Sequence, residues 1–228
     1  MILITGASRG IGRFLLEQFI SKNESVVGTY NLTKSQPELS GQFYQLDVSN
    51  YVAVEQFISQ IKTSLENITL INCAGISYNA FTHKSDPDLW KRVIEVNLFG
   101  SYNFIRLLLP FMREQSYGRI INFSSVAAQK GTPGISAYAA SKSALWGMTK
   151  SLAVENGSLN ITINNINLGY VEVGMGVEQV PLSYQKVLLQ QIPSGLFCKP
   201  EDIFSTVQYL RNTPYINGAS IDLNGALI

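Results

Sequence analysis

A chain of 228 residues with 46% hydrophobic and 14% charged side chains can bury a large core, which excludes a disordered chain and suits a single α/β unit. A formal net charge of +1 without a basic stripe excludes a nucleic-acid or anionic-membrane binder, and no apolar run nears the ~18 residues of a membrane span. Two cysteines, Cys73 and Cys198, with no CxxC pair, exclude a disulfide scaffold and suit a reducing cytosol, so a soluble cytoplasmic protein is expected.

Ile2–Thr5 reads as a buried strand, not a secretory leader, because it lacks a charged start and ends at a glycine loop. Ile11, Phe14, Leu15 and Phe19 then recur at helical spacing. Residues 25–29 and 43–46 predict the next two strands, and Val52, Phe57, Ile58, Ile61 and Leu65 mark a helix. Residues 68–72 predict a fourth strand. Asp86 and Pro87 read as an N-cap and a first helical residue, opening a long helical region to about Gln115 with a bend at Gly100. Residues 119–123 predict a fifth strand, 135–156 a helix, and 160–167 a sixth strand. Pro200 starts the last helix, before a strand at 219–223. Short apolar strands alternating with helices predict one domain over residues 1–228, a doubly wound α/β fold whose seven-stranded parallel sheet is covered on both faces.

The loop Thr5-Gly-Ala-Ser-Arg-Gly-Ile-Gly12 lies between the first strand and the first helix. In that place Gly6 permits a tight turn, Gly10 and Gly12 allow close backbone approach, and the helix N-terminus offers N–H groups to a pyrophosphate. An NAD-preferring site puts an acid at the end of the second strand to hold the ribose 2′-OH. Here that strand ends Gly28-Thr-Tyr-Asn31, without a carboxylate, while Arg9 in the loop can pair with a 2′-phosphate. NADP(H) is therefore expected over NAD(H).

Tyr138 and Lys142, in Ser136-Ala-Tyr-Ala-Ala-Ser-Lys-Ser143, sit one helical turn apart on one face. A free phenol ionises near pKa ~10. A neighbouring ammonium is expected to lower that value and let Tyr138 exchange a proton with a carbonyl or alcohol oxygen.

Taken together, these residues resemble the short-chain dehydrogenase/reductase family over essentially the whole chain. The Gly6, Gly10, Gly12 spacing is similar to that family's loop, Asp47-Val48 to its adenine-ring pair, and Asn72-Cys-Ala-Gly75 to its Asn-Asn-Ala-Gly motif. Asn97, Ser125, Tyr138 and Lys142 resemble its catalytic tetrad, with Ser125 thirteen residues before Tyr138. Within the family, the motifs resemble most those of 3-oxoacyl-acyl-carrier-protein reductases.

The resemblance implies a Rossmann-type fold and reduction of a carbonyl to a secondary alcohol, or the reverse, by hydride transfer. It implies Tyr138 as general acid/base, Ser125 as a hydrogen-bond donor to the substrate oxygen, and Lys142 on the nicotinamide ribose. It gives Asn97 a water that links Lys142 to solvent. The cofactor set it implies is Gly6, Ser8, Arg9, Gly10, Ile11, Gly12, Asn31, Asp47, Val48, Asn72, Ala74, Gly75, Tyr138, Lys142, Gly169 and Val171. No metal is expected. A homotetramer or dimer is also implied, with Phe99, Tyr102, Phe104 and Phe111 in the core or between subunits.

Three departures from the family pattern stand out. Leu168-Gly169 and Val173 replace the usual Pro-Gly and threonine, Asn224-Gly-Ala226 replaces Asp-Gly-Gly, and neither Ser116 nor Leu159 is the arginine expected to dock an acidic carrier protein. Residues 174–197, with Val177, Val180, Leu182, Leu188, Leu189 and Ile192, read as an apolar lid over the substrate, among whose few charges are Glu178 and Lys186. His83 is the only histidine and reads as a loop residue, leaving little for a Ser-His-Asp triad. Cys73 reads as a small packing residue. The competing reading is a non-catalytic NADP-binding sensor of the same fold. An epimerase or dehydratase is disfavoured because only about thirty residues separate the sixth strand from the last helix.

Overall fold

β1 (Ile2–Thr5) and β4 (Thr69–Asn72) are buried along their whole length, as strands covered on both faces must be. They lie side by side in a sheet completed by β2 (Val26–Tyr30), β3 (Phe43–Gln45), β5 (Gly118–Ser125), β6 (Ile161–Leu168) and β7 (Ser220–Leu223). The strand order is β3-β2-β1-β4-β5-β6-β7, all parallel, so the winding reverses between β1 and β4. The cleft outside the carboxyl ends of strands at such a reversal is where doubly wound sheets bind ligands. This computed structural model describes residues 1–32, 43–174 and 180–228, apart from the side chain of Tyr184.

One face of the sheet packs Leu3, Leu70, Ile120 and Ile163 against Phe57 and Ile58 of α2 (Tyr51–Ile61) and Phe104 and Leu108 of α4 (Gly100–Gln115). The opposite face packs Ile4, Ile71, Ile121 and Ile166 against Leu15 and Phe19 of α1 (Gly10–Ser21) and Ile203 and Val207 of α7 (Pro200–Asn212). Phe104 belongs to the core, while Phe99 and Tyr102 are exposed at 52% and 45%.

On the first face the apolar core stops at one level. Thr5, Asn72, Asn122, Asn165 and Ser220 stand in register across five strands. All but Ser220 are buried, and buried polar groups cost free energy unless they are hydrogen-bonded. Here most are. Asn72 Nδ2 donates to Asn122 Oδ1 at 2.8 Å, and Asn122 Nδ2 to Thr149 Oγ1 at 3.1 Å. Thr149, on α5 (Ser136–Asn156), donates to Asn165 Oδ1 at 2.8 Å, and Asn165 Nδ2 reaches Ser220 Oγ at 2.9 Å.

Asp86 caps α3 (Pro87–Ile94) as expected, its carboxylate accepting the N–H groups of Asp88 and Leu89. The bend expected at Gly100 is instead a π-helical turn, Glu95–Phe99, immediately before it. Gly100 serves close packing, since a Cβ there would stand 2.5 Å from Val48 Cγ2. The region read as a lid contains a helix, α6 (Leu182–Gln191), while its residues 175–179, with Val177 and Glu178, lie outside the described residues. No helix among the described residues is long and apolar enough to cross a membrane.

Candidate active site

The glycine loop lies in conformations that only glycine adopts at little cost. Gly6 has φ +66° and Gly10 φ +53°. A Cβ on Gly12 would stand 2.4 Å from the Gly6 carbonyl oxygen, so the loop closes only because Gly12 has none. Thr5 Oγ1 accepts the N–H groups of Cys73 and Ala74, each at 3.1 Å, tying the end of β4 to the loop. The N-terminus of α1 thus faces a cleft of about 340 Å³.

Gly6, Ser8, Arg9, Gly10, Ile11, Gly12, Asn31, Asp47, Val48, Ala74 and Gly75 all line that cleft. Asn72 does not line it. It is 3% exposed, part of the polar row beneath, and its Oδ1 has no hydrogen-bond partner among the described residues. Arg92 and Gly174 are among the further residues that line it. Arg92, on α3, donates to Asp47 Oδ2 and to Ser49 Oγ, both more than forty residues away in the sequence, and lies 3.4 Å from Glu95 Oε2 on its own turn. Gly174 lies so close to Gly10 that a Cβ on Gly10 would be 3.1 Å from its Cα. Burial alone would raise the Asp47 carboxyl, but hydrogen bonds from Ser49 and Arg92 hold it below the usual carboxylate range.

A second cleft, of about 480 Å³, opens beside the first and shares Ile11, Cys73 and Gly75 with it. Ser125, Tyr138 and Lys142 line it together. Ser125 ends β5, and its Oγ accepts the Ala127 N–H at 3.1 Å. Lys142 is 5% exposed, its Nζ donates to the Phe123 carbonyl at 2.7 Å, and it lies 5.6 Å from the centre of the Tyr138 ring. Burial lowers its pKa from 10.5 to about 8. Burial also pushes the Tyr138 phenol up, against a hydrogen bond with Ser125 that pulls it down. The expected lowering of the phenol by Lys142 is therefore not a property of the protein alone. The ammonium is aimed at a backbone carbonyl, and desolvation of the phenolate dominates.

Asn97, fully buried in the π-helical turn, stands behind the shared wall. Its Oδ1 accepts the Ile76 N–H at 2.8 Å, while its Nδ2 donates to the Ile76 carbonyl at 2.9 Å and to Ser141 Oγ at 3.0 Å. A Cβ on Gly75 would lie 3.4 Å from Asn97 Oδ1 and 3.7 Å from Lys142 Nζ. Gly169 and Val171, with Leu168 and Val173, line the second cleft and not the first. Cys73 stays a thiol, its pKa pushed up to about 12 by burial. His83 is exposed and lines neither cleft.

Known proteins resemble this chain in sequence and in fold. The profile of the short chain dehydrogenase family matches residues 1–181. The acetoacetyl-CoA reductase of Shinella zoogloeoides is 37% identical over 98% of this chain and 96% of its own. The 3-oxoacyl-[acyl-carrier-protein] reductase of Thermotoga maritima is 32% identical over 99% and 96%. A crystal structure of the 3-oxoacyl-[acyl-carrier protein] reductase of Brucella melitensis superposes with a TM-score of 0.86 at 32% identity, covering 98% of this chain and 89% of that one.

Because the folded pKa of Lys142 lies below its unfolded value, the charged lysine costs stability at neutral pH, and the cost fades as pH rises past about 8. A nitrogen-15 NMR titration of the Lys142 Nζ in the free protein is expected to show a midpoint near that value. A midpoint at the ordinary lysine value would mean that the side chain is not desolvated.

Proposed function

Since the chain belongs to the short-chain dehydrogenase family and is an oxidoreductase with a nicotinamide cofactor, we propose that it reduces the 3-oxo group of an acyl thioester to a secondary alcohol. The observation that carries this reading is the meeting of Ser125, Tyr138 and Lys142 in a cleft that adjoins the glycine-loop cleft across Ile11, Cys73 and Gly75. The loop backbone and the α1 N-terminus suit a pyrophosphate, and Asp47 and Val48 suit an adenine. Bound there, the reduced nicotinamide supplies a hydride to the carbonyl carbon.

Tyr138 supplies the proton. Its raised pKa keeps the phenol protonated at neutral pH, which suits an acid in the reductive direction. The Ser125 oxygen accepts from Ala127, leaving its O–H to donate to the carbonyl oxygen as negative charge develops there. Lys142 spends one of three N–H donors on the Phe123 carbonyl, which leaves two for the ribose hydroxyls and a water. That water would sit beside Gly75, where Asn97 Oδ1 and Lys142 Nζ are the nearest polar atoms. Through it Tyr138 regains its proton.

NADP(H) is the preferred cofactor in this reading. Arg9 and Asn31 line the glycine-loop cleft, β2 ends without a carboxylate, and the Asp47 carboxylate is already engaged by Ser49 and Arg92. Within the segment 174–197, residues 180–197 act as the substrate lid. Val180 and Leu188 line the substrate cleft, and a parallel bridge between Val171 and Cys198 joins the two ends of the segment. The chemistry of the second cleft suits an acyl chain, with Val126, Pro133, Ile135 and Leu227 also on its wall. Exposed Phe99 and Tyr102 offer a surface to a second copy, consistent with a homo-oligomer, and the free thiols of Cys73 and Cys198 suit the cytoplasm. No feature of the site favours the non-catalytic sensor.

Purified protein is expected to oxidise NADPH with a 3-oxoacyl thioester, and Tyr138→Phe to lose roughly 10²–10⁴-fold in kcat while still binding NADPH. An inactive wild type across thioesters and ketones would contradict the reading. Cofactor choice has its own test. NADPH is expected to bind more tightly than NADH, and Arg9→Ala to remove most of the difference. Equal affinity of the wild type for both would overturn the assignment of Arg9.

A further inference from the structure

Two residues beyond the asparagine row, a second polar row crosses the same face of the sheet. Ser124, Asn167 and Asp222 are in register on β5, β6 and β7. Trp146 of α5 reaches into it. Its Nε1–H is shared between Ser124 Oγ at 2.9 Å and Asn167 Oδ1 at 3.0 Å. Ser124 passes its own hydrogen to the Lys142 carbonyl at 3.1 Å, and Asn167 Nδ2 donates to Asp222 Oδ1 at 2.8 Å. The same carboxylate oxygen accepts from Gln129 Nε2 at 3.3 Å.

The path of these bonds is informative. Ser124 immediately precedes Ser125, and Gln129 closes the short turn that follows it, Val126–Ala128. The chain of bonds therefore leaves the sheet on one side of Ser125 and returns on the other. At its far end it holds α5 one turn beyond Lys142 and two beyond Tyr138. Ser124 and Asn167 are 3% and 0% exposed, so their groups cannot exchange these partners for water without opening the structure. A carboxylate at the end of such a chain strengthens each bond in it.

We propose that Trp146, Asn167 and Asp222 form a brace that fixes the Ser125 hydroxyl relative to Tyr138, which makes Trp146 a positioning residue for the reaction. This rests on the reading of Ser125 and Tyr138 as the reacting pair. None of the three brace residues touches the substrate oxygen in that reading. They act through Ser125, whose placement matters because small misplacements of a donor are costly to the rate.

The test uses Trp146→Phe, which keeps a ring but removes the N–H, and Asp222→Ala, which alters an exposed side chain and leaves the core intact. Hydrogen exchange of the segment from Ser124 to Gln129 is expected to quicken by about tenfold in each variant, with exchange in α1 unchanged. In turnover, Trp146→Phe is expected to lose about tenfold in kcat with the NADPH Kd unchanged. In a Ser125→Ala background the same substitution should cost nothing further, as expected of a group that acts through Ser125. Unchanged exchange in both variants would overturn the brace. So would an equal kcat loss with and without Ser125, which would mark Trp146 as merely structural. A wild type without reductase activity would contradict the proposed function, while the exchange measurement would still decide whether the brace exists.

Discussion

Thr5, Asn72, Asn122, Asn165 and Ser220 stand side by side across five parallel strands, and their level divides the protein in two. Before it, Leu3, Leu70, Ile120 and Ile163 form a dry core. Beyond it the strands deliver Ser125 and the loops that line both clefts. A buried amide costs free energy unless paired, so a row of them is tolerated only where the register is held and each finds a neighbour. That requirement fixes α5. Thr149 must sit between Asn122 and Asn165, which sets how far along the sheet Tyr138 and Lys142 project.

The electrostatics of the site follow from that placement. α5 lies so deep that Lys142 is desolvated and Tyr138 resists ionisation. A buried ammonium whose pKa falls to about 8 gives up its proton more readily than an ordinary lysine, and a phenol pushed upward stays an acid. Those properties suit donation of a proton to an oxygen that has just received negative charge. Oxidation of an alcohol would ask the same phenol to act as a base, which the protein alone disfavours.

Much of this was legible in the sequence because it is local. The glycine loop, the Tyr138–Lys142 spacing and the Asp86 cap depend on neighbours within a few residues, and alternating strands and helices imply a parallel sheet. What was not legible depends on partners far apart. Asn72 reads like a cofactor ligand, yet its amide is spent on Asn122, fifty residues away. Arg92 looks like a surface charge until α3 is laid beside Asp47. A π-helical turn has no residue signature, so the bend was placed at Gly100, where the glycine is needed to admit Val48. The direction of the Tyr138 shift escaped for a similar reason: spacing shows that a lysine is near, but not that its ammonium points at Phe123.

The central claim is that a carbonyl held beside Ser125 and Tyr138 receives its hydride from a nicotinamide and its proton from the phenol, in two adjoining clefts. Reduction of a 3-oxoacyl thioester with NADPH carrying deuterium at one C4 position measures this directly. The expected result is deuterium on the carbinol carbon of the product from one C4 epimer and none from the other, with the hydroxyl hydrogen drawn from solvent. Deuterium delivered equally from both epimers, or lost to water, would contradict it.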